Sequence, residues 1–266
     1  MTNKMKYGVI GTGVMGQEHI QNINLIESAE VVAICDTNEN SRNQTKSLVK
    51  DSTKFYNDLN ELINNNIADA YIIATPNFTH INILEHILKT NKHLLIEKPL
   101  CTTTEDCKKF ELMSKNYSKI IWTGMEYRYM PPVQQLIKEV HNNVIGKIKM
   151  LSIREHRFPF LHKVDDWNRF AVNTGGTLVE KCCHFFDLMR LVIQSEPTKV
   201  YASGNQDVNH LEEKYDGKTP DIIDNAFVIV DFENGVRGML DLCMFAENSE
   251  YQEEIVAVGD IGKIET

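Results

Sequence analysis

Three short stretches of this sequence hold side chains whose type and spacing suit chemistry. Glu97-Lys98-Pro99 follows the apolar run His93–Ile96, which places Lys98 at the carboxyl end of a predicted strand. In an open parallel sheet ligands bind beyond those strand ends, so the ammonium can polarise a hydroxyl or carbonyl and favour a developing alkoxide. A surface lysine closing a strand reads the same on position alone. Glu180, His184 and Asp187 are spaced by four and then three, one stripe of a predicted helix. His184 is the natural proton carrier, because its pKa lies near neutrality, and Glu180 can orient it or bind a substrate hydroxyl. A solvated helix face with a satisfied histidine gives the same spacing, so this stripe gains meaning only beside a cofactor.

The third stretch supplies one. Gly11, Thr12, Gly13, Val14, Met15 and Gly16 form a G-x-G-x-x-G turn directly after an apolar strand and at the start of a helix. Gly11 permits the tight turn and Gly13 lets the backbone approach a pyrophosphate. Gly16 lets the helix pack close, so phosphates meet free N–H groups at its N-terminus. Asp36 ends the second predicted strand, where a carboxylate accepts hydrogen bonds from the adenosine ribose. It would repel a 2′-phosphate, and Thr37-Asn38-Glu39 bring no compensating charge, Arg42 being the nearest cation. NAD is therefore favoured over NADP. Thr75, Pro76 and Asn77 reach the same sheet edge and join Glu97 and Lys98 in the predicted cofactor cleft.

The elements that must position these residues read in two halves. Strands are predicted at Met5–Ile10, Glu30–Cys35, Asp69–Ala74, His93–Glu97 and Lys119–Thr123, most of them continuous apolar runs with amphipathic stretches between. That alternation implies a doubly wound parallel sheet over residues 1–124. Beyond it the pattern predicts a helix after Pro131-Pro132, a long strand from Lys147 to about Phe158 and one helix over Thr177–Ile193. Strands follow at Lys199–Gly204, Ile222–Phe232, Val236–Phe245 and Glu253–Val258. Asn234-Gly235 is a hairpin turn between two of them. Residues 125–266 thus read as an α+β domain with an open, mostly antiparallel sheet.

Composition narrows the function classes. A net charge of −9 disfavours nucleic acid, which needs concentrated Lys and Arg. No apolar stretch approaches the roughly 20 residues that cross a bilayer, and the opening MTNKMKYGVI has no leader pattern. The six cysteines are scattered without C-x-x-C spacing, which predicts reduced thiols in the cytoplasm and no metal site, even at Cys182-Cys183-His184.

Together GVIGTGVMG, ATPNFTH at 74–80, HLLIEKPL at 93–100, MEYRYMP at 125–131 and GGTLVEKCCHFFDLMR at 175–190 resemble the Gfo/Idh/MocA family of oxidoreductases. The resemblance implies an N-terminal Rossmann domain and a C-terminal domain whose sheet commonly forms an oligomer interface. It implies that Lys98 touches the nicotinamide ribose and the reacting hydroxyl, that Pro99 follows a cis bond, and that His184 is the acid/base. Asp187 matches the family's D-x-x-x-H-x-x-D helix motif, while Glu180 replaces its first Asp. Tyr127 and Arg128 match a segment that lines the substrate pocket, and Asp166-Trp167-Asn168 are assigned there as well. The implied activity is hydride exchange between NAD and a polyol, sugar or related secondary alcohol, in a homo-oligomer. A glycosidase using transient oxidation, or a non-catalytic NAD-binding sensor, are the alternatives. Family members usually continue past the position of Gly259–Glu265, so the chain is expected to be C-terminally shortened.

Overall fold

The computed structural model describes residues 4–266; residues 1–3, part of the opening read above as leaderless, lie outside them. The described chain divides into two compact units. One runs through Gly124 and takes in Lys163–Trp167 and Val172–Gly175. The other comprises Met125–His162, Asn168–Ala171 and Gly176–Thr266.

The first unit is built on β1 (Met5–Ile10), α1 (Val14–Asn24), β2 (Ala29–Cys35), α2 (Glu39–Thr45), β3 (Lys54–Tyr56), α3 (Leu59–Asn65), β4 (Ala70–Ile73), α4 (His80–Ile87), β5 (His93–Ile96), α5 (Thr104–Ser114) and β6 (Ile121–Thr123). Its six strands are parallel in the order β3-β2-β1-β4-β5-β6. This order reverses at β1 and β4, the switch point outside which open α/β sheets bind dinucleotides. Apolar runs serve both faces. Ile10, Ala33, Ile73, Leu84, Ile87 and Ile96 pack in one core, and Val9, Ile20, Ile23, Val31, Ile34 and Ile72 in another. Asn38, Asp58 and Thr103 cap α2, α3 and α5 by accepting the amides of Ser41, Glu61 and Asp106. Helix α1 has no side-chain cap.

The second unit contains α6 (Pro131–His141), β7 (Ile148–His156), the short α7 (Ala171–Thr174, part of which clusters with the first unit), α8 (Thr177–Glu180) and α9 (Cys183–Ile193). The strands β8 (Pro197–Asn205), β9 (Asn225–Phe232), β10 (Arg237–Cys243), β11 (Glu253–Gly259) and β12 (Lys263–Glu265) complete it. Its sheet runs β12-β11-β7-β10-β9-β8, antiparallel except between β7 and β10. Phe185, Leu188, Met189 and Val192 of α9 bury against Leu151, Ile153, Val228, Val230, Leu240 and Leu242. The opposite face alternates out to solvent, as expected of an antiparallel sheet covered on one side.

Two edge strands, β3 and β12, have no counterpart in the sequence pattern, because three residues are too few to establish a period of two. The single helix predicted over Thr177–Ile193 is interrupted. The amide of Cys182 bonds to Thr177 O, five residues back, and the chain turns at Lys181 and Cys182 before α9 begins. Glu180 and His184 therefore lie on different helical segments rather than on one stripe. The turn buries two consecutive charged residues, Glu180 and Lys181, each 6% exposed. In the β9–β10 turn only Gly235 takes a positive φ, +81°, while Asn234 instead accepts the Val236 amide.

Candidate active site

In the first unit the glycine turn has the geometry its residue types require. Gly11 sits at φ +87°, and a Cβ there would fall 2.6 Å from the Ala74 backbone. A Cβ on Gly16 would lie 2.0 Å from Gly11 O, so the first turn of α1 rests directly on the loop. Gly13 has open space where its Cβ would be. The first regular helical bond is from Gln17 N to Gly13 O, and the uncapped amides before it are donors for an anion. Asp36 is latched beside them: Oδ2 accepts the amide of Thr12 at 2.7 Å and its hydroxyl at 3.0 Å, and Oδ1 accepts the Asn38 amide at 2.8 Å. Two carboxylate oxygens offer about four lone-pair sites, so capacity for a ribose hydroxyl remains. Edge strand β3 fixes this corner, since the Asp36 amide donates to Tyr56 O. At the end of β4, Thr75 and Thr79 hydroxyls pair at 2.7 Å, and the buried Asn77 amide nitrogen Nδ2 has no hydrogen-bond partner among the described residues. Open space at Gly13, uncapped amides, the latched carboxylate and that buried donor together fit a dinucleotide.

The Glu97-Lys98-Pro99 turn follows β5, and the Lys98–Pro99 peptide is cis. Glu97 is buried, with Oε1 at 2.6 Å from His19 Nε2 and Oε2 accepting the Lys98 amide at 3.2 Å. Lys98 itself is half-buried. His80, fully buried at the start of α4, bonds through Nδ1 to Pro99 O and through Nε2 to Thr75 O, both at 3.0 Å. One imidazole thus ties the Thr75–Asn77 turn to the segment that carries Lys98. Burial holds its pKa below the usual histidine value, against the opposing pull of those carbonyls.

In the second unit His184 stands in the first turn of α9, 2% exposed, with Nε2 at 3.4 Å from Glu126 Oε1. The Tyr127 ring stacks on its imidazole at 4.6 Å and 30°, and meets Phe185 edge-on at 5.5 Å. The Tyr127 hydroxyl donates to Glu253 Oε1 and accepts from Lys181 Nζ at 2.7 Å, while Lys181 also pairs with buried Glu155 at 2.9 Å. Burial first, then the Glu155 and Glu253 charges, pushes the Tyr127 phenol up. Burial also raises the Glu155 carboxyl, opposed by Lys181. Arg128 and Asp187 form a bidentate pair with each other, and that carboxylate raises the pKa of the guanidinium.

Not every predicted substrate contact is placed as an open one. The Tyr127 hydroxyl is committed within the protein, to Glu253 and Lys181, and its ring lies against the His184 imidazole. Asn168 is fully buried, its amide donating to Leu161 O and accepting from Arg169, which makes it part of the frame of its segment. Trp167, in the first unit, packs edge-on against Phe78 at 6.3 Å, and its carbonyl accepts from Asn173. Five residues of these clusters escaped the sequence pattern: His19, His80, Glu155, Lys181 and Glu253. Glu155 did leave a signal, since it shares strand parity with the core residues Leu151 and Ile153. A carboxylate at a core position requires a buried partner.

Comparison with known proteins identifies the family. The family model described as Gfo/Idh/MocA oxidoreductase, NAD-binding Rossmann fold, matches residues 5–125, and that of the family's C-terminal alpha/beta domain matches residues 137–266. Myo-inositol 2-dehydrogenase of Thermotoga maritima is 30% identical over 260 residues, covering 98% of this chain and 74% of the relative. Glucose-6-phosphate 3-dehydrogenase of Bacillus subtilis is 30% identical over 220 residues, 79% of this chain and 60% of the relative. The crystal structure of a probable dehydrogenase from Thermotoga maritima superposes with a TM-score of 0.84 at 30% identity, covering 98% of this chain and 75% of that one. Among the described residues no helix is long and apolar enough to cross a membrane.

Proposed function

The chain belongs to the Gfo/Idh/MocA family of NAD-binding oxidoreductases, and from that premise we propose that it is a dehydrogenase of a cyclic polyol or sugar, oxidising a secondary alcohol reversibly. The observation that carries this is the open, uncapped glycine turn with the Asp36 carboxylate latched to Thr12 beside it. Two relatives at 30% identity, one named for inositol and one for glucose 6-phosphate, support a polyhydroxylated ring as the substrate class.

NAD, when bound, supplies the hydride acceptor and donor. His184 takes the hydroxyl proton and returns it in the reverse direction, its ring held by Tyr127. Lys98 stabilises negative charge on the reacting oxygen through its ammonium. Glu180, carrying a carboxylate one methylene longer than the Asp of the family motif, orients the imidazole or the substrate hydroxyl. Arg128 and Asp187 reach substrate as a pair, since a bidentate pair presents fixed remaining donors and acceptors.

The test is a panel of inositols and sugars with NAD, following reduced nicotinamide by absorbance. Turnover that is lost in both Lys98→Ala and His184→Ala is the expected result. Unchanged turnover in either variant removes that residue from its role. NAD binding without turnover across the panel would instead favour a sensor, and release of an aglycone without net reduction of NAD a glycosidase.

The same proposal extends to assembly and location. Met150, Tyr201, Phe227, Ile229 and Met239 are exposed on the strands of the second sheet, Phe227 at 63%, an apolar area suited to a second copy of this chain. Sedimentation of the purified protein and of Phe227→Glu tests it, with a smaller species expected for the variant. The cytoplasm is assigned on the scattered cysteines alone.

A further inference from the structure

Lys181 is adjacent to the family's acid/base motif without belonging to it, and its surroundings give it a definite task. Its ammonium is buried at the junction of α8 and α9, where it also reaches Glu253 Oε1 at 4.0 Å and the Phe185 ring at 5.4 Å. It pairs with Glu155 Oε1 at 2.9 Å, donates to the Tyr127 hydroxyl at 2.7 Å, and lies 4.9 Å from the Tyr127 ring centroid. The same hydroxyl donates to Glu253 Oε1 at 2.5 Å, so the phenol is gripped from two sides. The gripped ring is the one stacked on His184.

We propose that Lys181, held by Glu155, is a positioning residue that fixes Tyr127 as the platform orienting His184. The proposal rests on the reading of His184 as the proton carrier. Packing alone does not call for an ion pair at this place. Apolar side chains of similar volume fill such a site at no loss of stability, and often with a gain, because two charges need not be desolvated. A charged pair adds direction: Lys181 reaches one atom, the Tyr127 oxygen, and so restrains rotation and tilt of the ring. The imidazole lying on that ring is restrained in turn. Proton transfer depends on such placement, and displacement of a catalytic group by about 1 Å can cost roughly a hundredfold in rate.

Lys181→Met alone leaves the buried Glu155 carboxylate with Arg157, at 3.4 Å, as its remaining cation and is expected to lower the melting temperature. The deciding variant is therefore Lys181→Met/Glu155→Leu, which removes both charges of the pair and leaves Arg157, 22% exposed, to be solvated. It is expected to melt closer to the wild type than Lys181→Met does and to keep its NAD affinity. Its kcat should fall roughly ten- to a hundredfold while KM changes much less. Tyr127→Phe, which loses the gripped hydroxyl and keeps the ring, should show the same split, and Lys181→Arg should recover part of kcat. If the double variant regains wild-type kcat together with its stability, Lys181 is only a structural residue and the proposal is wrong.

A second measurement needs no substrate. The His184 ring-proton resonances, identified by their loss in His184→Gln, are shifted by the Tyr127 ring current. They should move in the double variant and in Tyr127→Phe. Resonances that stay in place overturn the positioning role. Resonances that move in a protein turning over no polyol leave the positioning role standing and reject the assigned reaction.

Discussion

His19 Nε2 lies 2.6 Å from Glu97 Oε1, while Glu97 Oε2 accepts the amide of Lys98. One end of this contact is on α1, whose uncapped first turn is proposed to meet the dinucleotide phosphates; the other precedes the lysine assigned to the reacting oxygen. The Glu97 side chain is only 10% exposed, so removal of its donor leaves a poorly solvated carboxylate. His19→Leu is expected to cost about 1–3 kcal/mol of unfolding free energy. His19→Gln, which retains an N–H donor, should cost less. Urea titration of the three proteins checks this order, and equal midpoints would show that the contact carries no stability.

The second and third glycines of the turn should fail differently on substitution. A Cβ on Gly16 meets Gly11 O at 2.0 Å, a backbone atom that cannot move without opening the loop. Gly16→Ala is therefore expected to destabilise the domain by roughly 1–3 kcal/mol, the usual range for overpacking. Gly13 has φ −66° and no neighbour within 4 Å, so alanine fits the apoprotein. Its methyl group would then occupy the space of a close-approaching pyrophosphate. Gly13→Ala should melt like the wild type yet bind NAD at least about tenfold more weakly, about 1.4 kcal/mol. Calorimetry on the two variants separates these outcomes, and unaltered NAD affinity in Gly13→Ala would place the phosphates elsewhere.

These residues show which features a sequence can reveal. Gly11, Gly13 and Gly16 were legible because local backbone geometry demands glycine at fixed offsets, and the apolar runs of β1, β2, β4 and β5 were legible because strands buried on both faces are apolar throughout. The His184–Asp187 spacing falls within α9 and survived; the Glu180–His184 spacing did not. It assumed an uninterrupted ladder, and the slip at Cys182 occurs where Glu180 and Lys181 are buried, which spacing along the chain does not reveal. Edge strands β3 and β12 left no pattern, since three residues joined to a neighbour owe their existence to the sheet. The partners of Glu97 and Tyr127 were hidden for the same reason: His19 is 78 residues from Glu97, and Glu253 is 126 from Tyr127.

His80 predicts a pH dependence of stability. A neutral imidazole has one donor and one acceptor, yet both of its nitrogens face carbonyls. Burial is the larger influence and holds the folded-state pKa below its ordinary 6.5. The unfolded chain then binds the proton more readily than the folded one. The contribution of His80 to stability is complete above about pH 6.5 and is lost as pH falls through the lower, folded-state value. Melting temperatures from pH 8 to pH 5 should therefore drop more steeply for the wild type than for His80→Gln. Parallel curves would mean that His80 does not titrate differently on folding.

Asp36 is the residue on which cofactor choice should turn. Its carboxylate takes both the amide and the hydroxyl of Thr12, which places negative charge beside the glycine turn. Arg42 is adjacent, but its guanidinium donates to the Asp36 backbone carbonyl. A 2′-phosphate beside that carboxylate would be repelled, while the cation is engaged with the backbone. Asp36→Ser removes the charge and keeps a small acceptor for Thr12, leaving Arg42 as the dominant local charge. The NAD-over-NADP ratio of kcat/KM should fall at least about tenfold, equal to about 1.4 kcal/mol of differential stabilisation. Part of that fall should be a loss with NAD, because the ribose hydroxyls lose a charged acceptor. The rest should be a gain with NADP that disappears in Asp36→Ser/Arg42→Ala. A ratio unchanged by the single substitution would mean that discrimination arises away from the β2 strand end.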